Sequence, residues 1–469
     1  MLDKFIQSVR YTLFPIKTIE EVIKHDIVLS QDMYNAIGLW SDMLADESPW
    51  LFDTESHAVS CGLPSSITSE IARLTTSEFK SAVTGSKRAD FIQTVYNPVL
   101  KDLRQILEFG VALGSLIIKP YVSGNTIKYD YNHADEFFPV AVDSSGKMLA
   151  AAFIGEIRRN GKIYRRVEYH HMEEIGCVIE NYAFKANDLT NERYTFGQPI
   201  ELSEVPEWAH IPPVTVLNDV DRLLIGYFRM PLANTIDRKS PLGVSIYSRA
   251  VDNIKQCDRQ FSRILWEYEG SELAIHADDS LLRPVSADKI NLFGTHQRFS
   301  LPSGKERLYR QVAGTEDFFE VFAPGIRDNS LFNGLNQLLK RVEYQCSLAY
   351  GTLSDPQNVD KTAEEIKASK QRSYTTVCDI QAALQDTITD LLYAVDFWTT
   401  KAYLAPQGTY EVTFDWGDSI IADRGKEFAQ RMQLQTACRL RPEINIAWYF
   451  GTTEEQAKEM MADTNPGEI

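Results

Sequence analysis

The run Tyr169-His-His-Met-Glu-Glu174 gathers residue types that bind transition metals, since imidazole nitrogens and carboxylates are both ligands. Neighbouring histidines on a strand point to opposite faces, which makes His170 and His171 a poor chelating pair. A second run, Tyr131-Asn-His-Ala-Asp-Glu-Phe-Phe-Pro139, is acidic and aromatic and reads as a loop leading into a strand. Glu364 and Glu365 are adjacent carboxylates, the residue type of general acid–base work, but two acids opening a helix are explained by the macrodipole. No GxxxxGK[ST] phosphate loop occurs, so the chain is not expected to be an ATP-driven motor. The six cysteines, at 61, 177, 257, 346, 378 and 438, lack any CxxC pairing and read as buried free thiols of a reducing compartment. No catalytic residue, metal or cofactor is expected.

Bulk properties point the same way. With 469 residues the chain exceeds the size at which one core usually keeps growing, so two or more structural units are expected. Its 48 basic and 65 acidic residues give a formal charge of −17, which argues against a chain that condenses onto DNA by counterion release. The opening segment MLDKFIQSVRYTLFPIK is interrupted by Asp3, Lys4 and Arg10 and lacks the features of a signal peptide. No stretch approaches the ~18 apolar residues of a membrane span, so no membrane partner is expected and assembly in cytoplasm is.

The elements that must position any function follow from periodicity. Residues 17 to 112 read mostly as helices, and TSEIARLTTSEFKSAV places Ile71, Leu74, Phe79 and Val83 near one helical face. From Ser115 to Phe184 the period becomes two, with turns at Ser123-Gly-Asn125 and Asn160-Gly161, the latter a strong hairpin signal. The fold class is α+β with meandering antiparallel strands. Pro-punctuated connections, EWAHIPPVTVL and DRKSPLG, lead to a long helix in which Val251, Ile254, Cys257, Phe261, Ile264 and Tyr268 form a narrow stripe suited to other helices.

Residues 274 to 326 are short and strand-like and hold a basic set, Arg283, Lys289, His296, Arg298, Lys305, Arg307 and Arg310. A second helix starts at Asp328-Asn-Ser330, where any of the three is a possible cap, and buries Leu331, Leu335, Leu338, Leu339 and Val342. A polar tip follows, YGTLSDPQNVDKTAEEI, in which Gly351 is suited to release the preceding helix. Thr362-Ala-Glu-Glu365 has the capping-box pattern for a third helix, from 363 to about 397, with Val377, Ile380, Leu384, Ile388, Leu391 and Val395 on one stripe. A strand, TYEVTFDW, and two terminal helices, DRGKEFAQRMQLQTACRL and TEEQAKEMMAD, complete the chain.

This series resembles the portal proteins of tailed bacteriophages, the head-to-tail connectors. The matching pieces run in the family's order: WSDMLADESPWL, LRQILEFGVALGSLIIKPY, FFPVAVDSSGKMLAAAF, DRKSPLGVSIYSRAVDNIKQCDRQFSRILWE, LAYGTLSDPQNVDKTAEEIKASKQRSYTTV and IIADRGKEFAQRM. The resemblance implies a portal fold with a helical and β wing at 1–246, stem helices at 247–273 and 327–349, and a β-rich clip at 274–326. It further implies a tunnel loop at 350–362, a long wing helix and strand at 363–420, and a helical crown at 421–469. It implies a closed homo-oligomeric ring, usually of twelve copies, at one capsid vertex of the virion. DNA would enter and leave through it, and a terminase large subunit, a head-tail adaptor, and the major capsid and scaffolding proteins would be partners.

On that resemblance Thr352, Ser354, Asp355, Gln357, Asn358, Asp360 and Lys361 are expected to face double-stranded DNA. Arg283, Lys289, Arg298, Lys305, Arg307 and Arg310 are expected to form the clip's partner surface. Val251, Ile254, Phe261, Ile264, Leu335, Leu338 and Val342 are expected to pack the stem between neighbouring subunits, with Lys340 and Arg341 as a basic ring in the channel. A capsid or baseplate protein without a DNA channel is the alternative. An enzyme acting on nucleic acid would need clustered Asp, Glu or His at ligand spacing, which the sequence lacks.

Overall fold

A computed structural model describes residues 15–53, 58–144, 146–187, 196–278, 283–284, 299–300, 309–312, 319–355, 363–417, 424–437, 439–450 and 455–458. The chain is a mixture of helix (45%) and strand (24%) in separate stretches, an α+β protein. Four helices open it: α1 (Pro15–Ile23), α2 (Gln31–Leu44), α3 (Leu63–Thr76) and, after strand β1 (Lys80–Thr84), α4 (Lys87–Leu113). Side-chain caps at Ser30 and Ser86 start α2 and α4, each hydroxyl accepting from the backbone N–H three residues on.

The sequence expectation of one helix through Val83 is corrected here. Helix α3 stops at Thr76, and Lys80–Thr84 is instead a strand paired antiparallel with β16 (Glu411–Asp415). Phe79 stacks on Trp416 at 4.0 Å between ring centres, and Val83 is buried. A partner more than 300 residues away decides the local conformation, which no local period reports.

Strands then succeed one another as the period of two requires: β2 (Ser115–Ser123), β3 (Thr126–His133), β4 (Phe137–Val142), β5 (Met148–Arg159), β6 (Lys162–Glu173), β7 (Gly176–Asn187) and β8 (Gln198–Ile200). Strands β4 to β8 lie side by side in one antiparallel sheet, and β9 (Val214–Asn218) also pairs with β7. Asn160 and Gly161 both have positive φ, 51° and 70°, as a two-residue hairpin turn of the primed type demands. β10 (Gly226–Arg229) joins β2 and β3 in a second sheet. The segment containing β9 was expected only as a connection.

The core lies where α2, α3 and α4 meet β2 and the long helix. Trp40, Tyr96 and Tyr247 are fully buried in it, and the Tyr247 hydroxyl donates to the Trp40 carbonyl at 2.8 Å. The Ser-Pro-Leu-Gly connection crosses the end of α4 so closely that a Cβ on Gly114 would lie 2.5 Å from the Gly243 carbonyl oxygen, and one on Gly243 would lie 2.3 Å from that of Gly114. Gly114 also has φ 84°, so two glycines are required here by contact and by conformation.

Helix α5 (Val251–Gly270) leaves this core, and five short strands follow: β11 (Ala274–Asp278), β12 (Arg283–Pro284), β13 (Phe299–Ser300), β14 (Tyr309–Val312) and β15 (Phe319–Phe322). β11 sits between β14, parallel to it, and β15, antiparallel to it. Helix α6 (Asp328–Gln345) returns, and α7 (Ala363–Lys401) spans 39 residues, about 58 Å at ~1.5 Å per residue. Its stripe at 377, 380, 384, 388, 391 and 395 is buried throughout. Arg88, itself buried, grips its far end through the Asp396 carboxylate and carbonyl and the Thr400 hydroxyl. The C-terminal part holds α8 (Arg424–Thr436) and α9 (Pro442–Phe450), the second of which the sequence reading did not assign. Among the described residues no helix is long and apolar enough to cross a membrane.

Candidate functional site: the α5–α6 hairpin and its anchored loop

Helices α5 and α6 run antiparallel and touch along their length. Asn253 donates to the Gln345 side chain at 2.7 Å near the core, and Gln260 donates to the Leu331 carbonyl at 3.1 Å farther out. At the strand-bearing end Arg327 donates to Glu267 from Nε, Nη2 and its backbone N–H, at 3.0, 2.6 and 3.2 Å. These bonds hold the Glu267 carboxyl below its ordinary range. Arg327, not one of the expected residues 328 to 330, occupies the N-cap of α6, and no side chain caps it.

The apolar stripe of α5 faces this partner helix and the core of its own chain. Ile254, Cys257 and Ile264 are buried, as is Val342 on α6, while Val251, Phe261, Leu335 and Leu338 are half-buried. Within one chain Ile254 and Ile264 are therefore already covered, whereas Val251 and Phe261 keep part of their surface; a stripe reports that a helix packs, and not which helix supplies the other side. What the hairpin leaves exposed is a different set of large apolar side chains, Trp266 (69% exposed), Tyr268, Leu273, Phe332 and Tyr344 (57%). Lys340 is half-exposed and Arg341 exposed.

The base of α5 is fixed by a second buried carboxylate. Asp258 accepts from the Trp50 indole and from the Cys61 backbone N–H, both at 2.8 Å, and burial raises its pKa. One turn on, Ser262 accepts from the Val59 N–H at 2.7 Å. The Trp50 indole and the main-chain N–H groups of Val59 and Cys61 thus clasp the helix, a role invisible in Asp258's position on an otherwise charged face.

Helix α6 ends at Gln345, with Ser347 at φ 58° and the Leu348 N–H bonded to the Glu343 carbonyl at 2.8 Å. Ser347, and not Gly351, turns the chain out of the helix. The chain then folds back over the helix it has left. Glu343, fully buried, accepts on Oε1 from the N–H groups of Gly351 (3.1 Å), Leu353 (2.7 Å) and Ser354 (2.8 Å), and on Oε2 from the Ser354 hydroxyl (2.9 Å). Asn336 accepts from the Asp355 N–H at 2.8 Å. A buried carboxylate is costly without several charge-assisted partners, and here the loop's own backbone supplies them.

Ser354, expected to face DNA, is only 5% exposed and belongs to this anchor. Thr352 and Asp355 are exposed. Gln357, Asn358, Asp360 and Lys361 lie outside the described residues, as do Lys289, His296, Arg298, Lys305 and Arg307 of the basic set. Arg283 and Arg310 stand on β12 and β14.

The two ligand-rich runs resolve into structural roles. His170 is buried with Nε2 2.6 Å from Glu168, whose other oxygen also meets Lys119 and Arg166 at 2.8 Å each. Burial alone would raise the Glu168 pKa, but Lys119, His170 and Arg166 together hold it well below the carboxylate range. His171, on the opposite strand face, stacks on Tyr169. In the second run His133, Asp135 and Glu136 bring ligand atoms within 4.8 Å of one another in the turn between β3 and β4. There Glu136 accepts from the His133 N–H and Asp135 from the Ser41 hydroxyl, so both carboxylates serve the turn.

Compared with known proteins, the chain matches no protein-family description and no curated protein.

Proposed function

We propose that this protein is the portal subunit of a tailed bacteriophage, a non-enzymatic building block of a ring through which double-stranded DNA is packaged and ejected. The reading rests on one observation: an antiparallel helix pair that bears a strand module at one end and, at the other, a polar loop rooted on Glu343 and followed by a 39-residue helix. The chain order and the loop's composition are those on which the sequence resemblance stands. In this reading 274–326 is the clip, docking a terminase motor and later an adaptor, 350–362 is the tunnel loop, and the ring sits in the virion at one capsid vertex. Capsid and scaffolding proteins would meet its outer parts.

The net charge of −17 per chain supports a wall that repels DNA and lets it slide, because affinity for a polyanion grows with the number of phosphate contacts. The large apolar side chains that the hairpin leaves exposed, Trp266 and Tyr344 above all, support burial by neighbouring copies. Negative-stain images of the purified protein test the reading. Rings with a central hole are expected; a small monomer, or an assembly without a hole such as a capsid or baseplate component forms, overturns it.

A further inference from the structure

A cleft of about 410 Å³ opens where the end of α3, the start of β1 and the middle of α4 converge. Three cations line it, Lys80, Lys101 and Arg104, together with three hydroxyl side chains, Thr76, Ser77 and Ser81, and no carboxylate belongs to its wall. In a chain with 65 acidic and 48 basic residues, such a wall is the reverse of the average surface. Lys101 and Arg104 are one turn apart on α4 and so share a face. Other arginines of the wing have carboxylate partners, Arg73 on Glu70, Arg88 on Asp396 and Arg222 on Asp221 and Asp390. Among the described residues Lys80, Lys101 and Arg104 form no ion pair, even though Asp415 stands opposite Lys80 in the strand register.

Of the three hydroxyls, that of Ser77 belongs to an exposed residue on the cleft wall. The Ser81 Oγ is sealed from solvent and makes no hydrogen bond of normal geometry; its polar neighbour is the buried Tyr96 hydroxyl, which makes none either. The carbonyls of the α3 end, which would repel an anion, are partly occupied: Arg73 O accepts from the Ser77 N–H, Thr76 O from the Phe79 N–H and Thr75 O from Gln381. Like charges gathered around hydroxyl donors repel one another unless an anion lies between them.

We propose that this cleft is a phosphate-binding site. Lys80, Lys101 and Arg104 supply charge, Arg104 supplies a planar fork for two oxygens, and the exposed Ser77 hydroxyl is a further donor to a tetrahedral oxyanion, the Thr76 hydroxyl being already given to the Ala72 carbonyl at 2.8 Å. Phe79 adds an apolar wall beside the anion. The bound group is a phosphate, carried either by a free phosphate compound or by a nucleic-acid backbone.

Calorimetric titration of the full-length protein with inorganic phosphate, against chloride at matched ionic strength, tests this. Saturable phosphate binding is expected, weakened at least about tenfold in the double variant Lys101→Gln, Arg104→Gln. Both side chains are exposed on α4, and circular dichroism with a melting curve checks that the variant folds. Ser77→Ala should weaken binding less. Equal responses to phosphate and chloride, or unchanged affinity in a folded double variant, overturn the proposal. With phosphate bound, displacement by a short DNA duplex assigns the site to a phosphodiester backbone, and retention assigns it to a free phosphate.

Discussion

Arg327 closes the far end of the hairpin on Glu267, its guanidinium giving Nε and Nη2 to the two carboxylate oxygens at 3.0 and 2.6 Å. The pair joins the last turn of α5 to the first residue before α6, so it clamps the two helices where the strand module departs. Because Arg327 holds the Glu267 pKa below its ordinary value of 4.5, the clamp's contribution is present above that value and is lost as pH falls through the lowered one. Arg327→Ala should therefore melt below wild type at neutral pH, with the gap narrowing under acid conditions. Melting curves at low salt across pH 7 to about 3 check this. A gap independent of pH would show that the clamp acts through packing alone.

Glu343→Ala removes the acceptor for three loop amides and one hydroxyl. Water can reach part of the opened loop, so the expected cost is about 2–4 kcal/mol and not the sum of four bonds. Hydrogen exchange should accelerate at Gly351, Leu353 and Ser354 while the amides of α5 stay protected. Unchanged exchange at those three positions would contradict the anchor.

Arg88→Met should loosen the end of α7 from α4 by leaving Asp396 without its cation. Breaking a buried pair from one side costs about 3–5 kcal/mol, and the partial exposure of Asp396 lowers the expectation to about 2 kcal/mol. Protease cleavage near Lys401 in the variant but not in wild type would report the loosening; identical digestion patterns would refute it.

Trp266→Asp with Tyr344→Asp tests whether the exposed side chains of the hairpin carry the proposed contacts between copies. Both side chains are exposed in the single chain, so the fold should survive with little change in stability. Size-exclusion chromatography should show loss of the large assembly. Wild-type rings from the double variant would place the contacts elsewhere.

The loop tip calls for a narrower change than removing 354–358, because Ser354 is part of the anchor. Replacing Asp355 and Asn358 with Arg adds phosphate contacts while leaving Glu343 its partners, and is expected to slow DNA passage. Full, stable heads at wild-type yield would overturn the tunnel-loop assignment.

Where a local pattern decides the structure, it was legible. Asn160-Gly161 specifies its own turn, and the stripe from Val377 to Val395 needs only one buried face. The spacing of Phe79 and Val83 from Ile71 and Leu74 suits a helix, whereas what overrides it comes from the far end of the chain: Val83 pairs with Val412, and Phe79 stacks on Phe414 and Trp416. Ile254 and Ile264 announced a helix contact without naming the partner. Glu343 carried no signal, since a glutamate in the last turn of a helix is ordinarily solvated. Its role appears only when Gly351 to Ser354 fold back upon it. The cleft at Lys101 and Arg104 escaped notice for the same reason, being assembled from three separate elements.

The pairing of β1 with β16 has a topological consequence. Thr84 and Glu411 stand opposite each other, so everything between them is one long excursion that begins and ends at the same place. The α5–α6 hairpin is a second excursion inside the first, and the strands at 274–326 are a third inside that. Each level is closed at its base by its own lock, β1 on β16, then Asn253 on Gln345, then Glu267 on Arg327. Since the entropy of closing a loop rises only slowly with its length, the innermost level can lengthen, shorten or be exchanged while the outer two hardly register the change. The molecule is nested like a set of drawers, with its most replaceable contents in the smallest one.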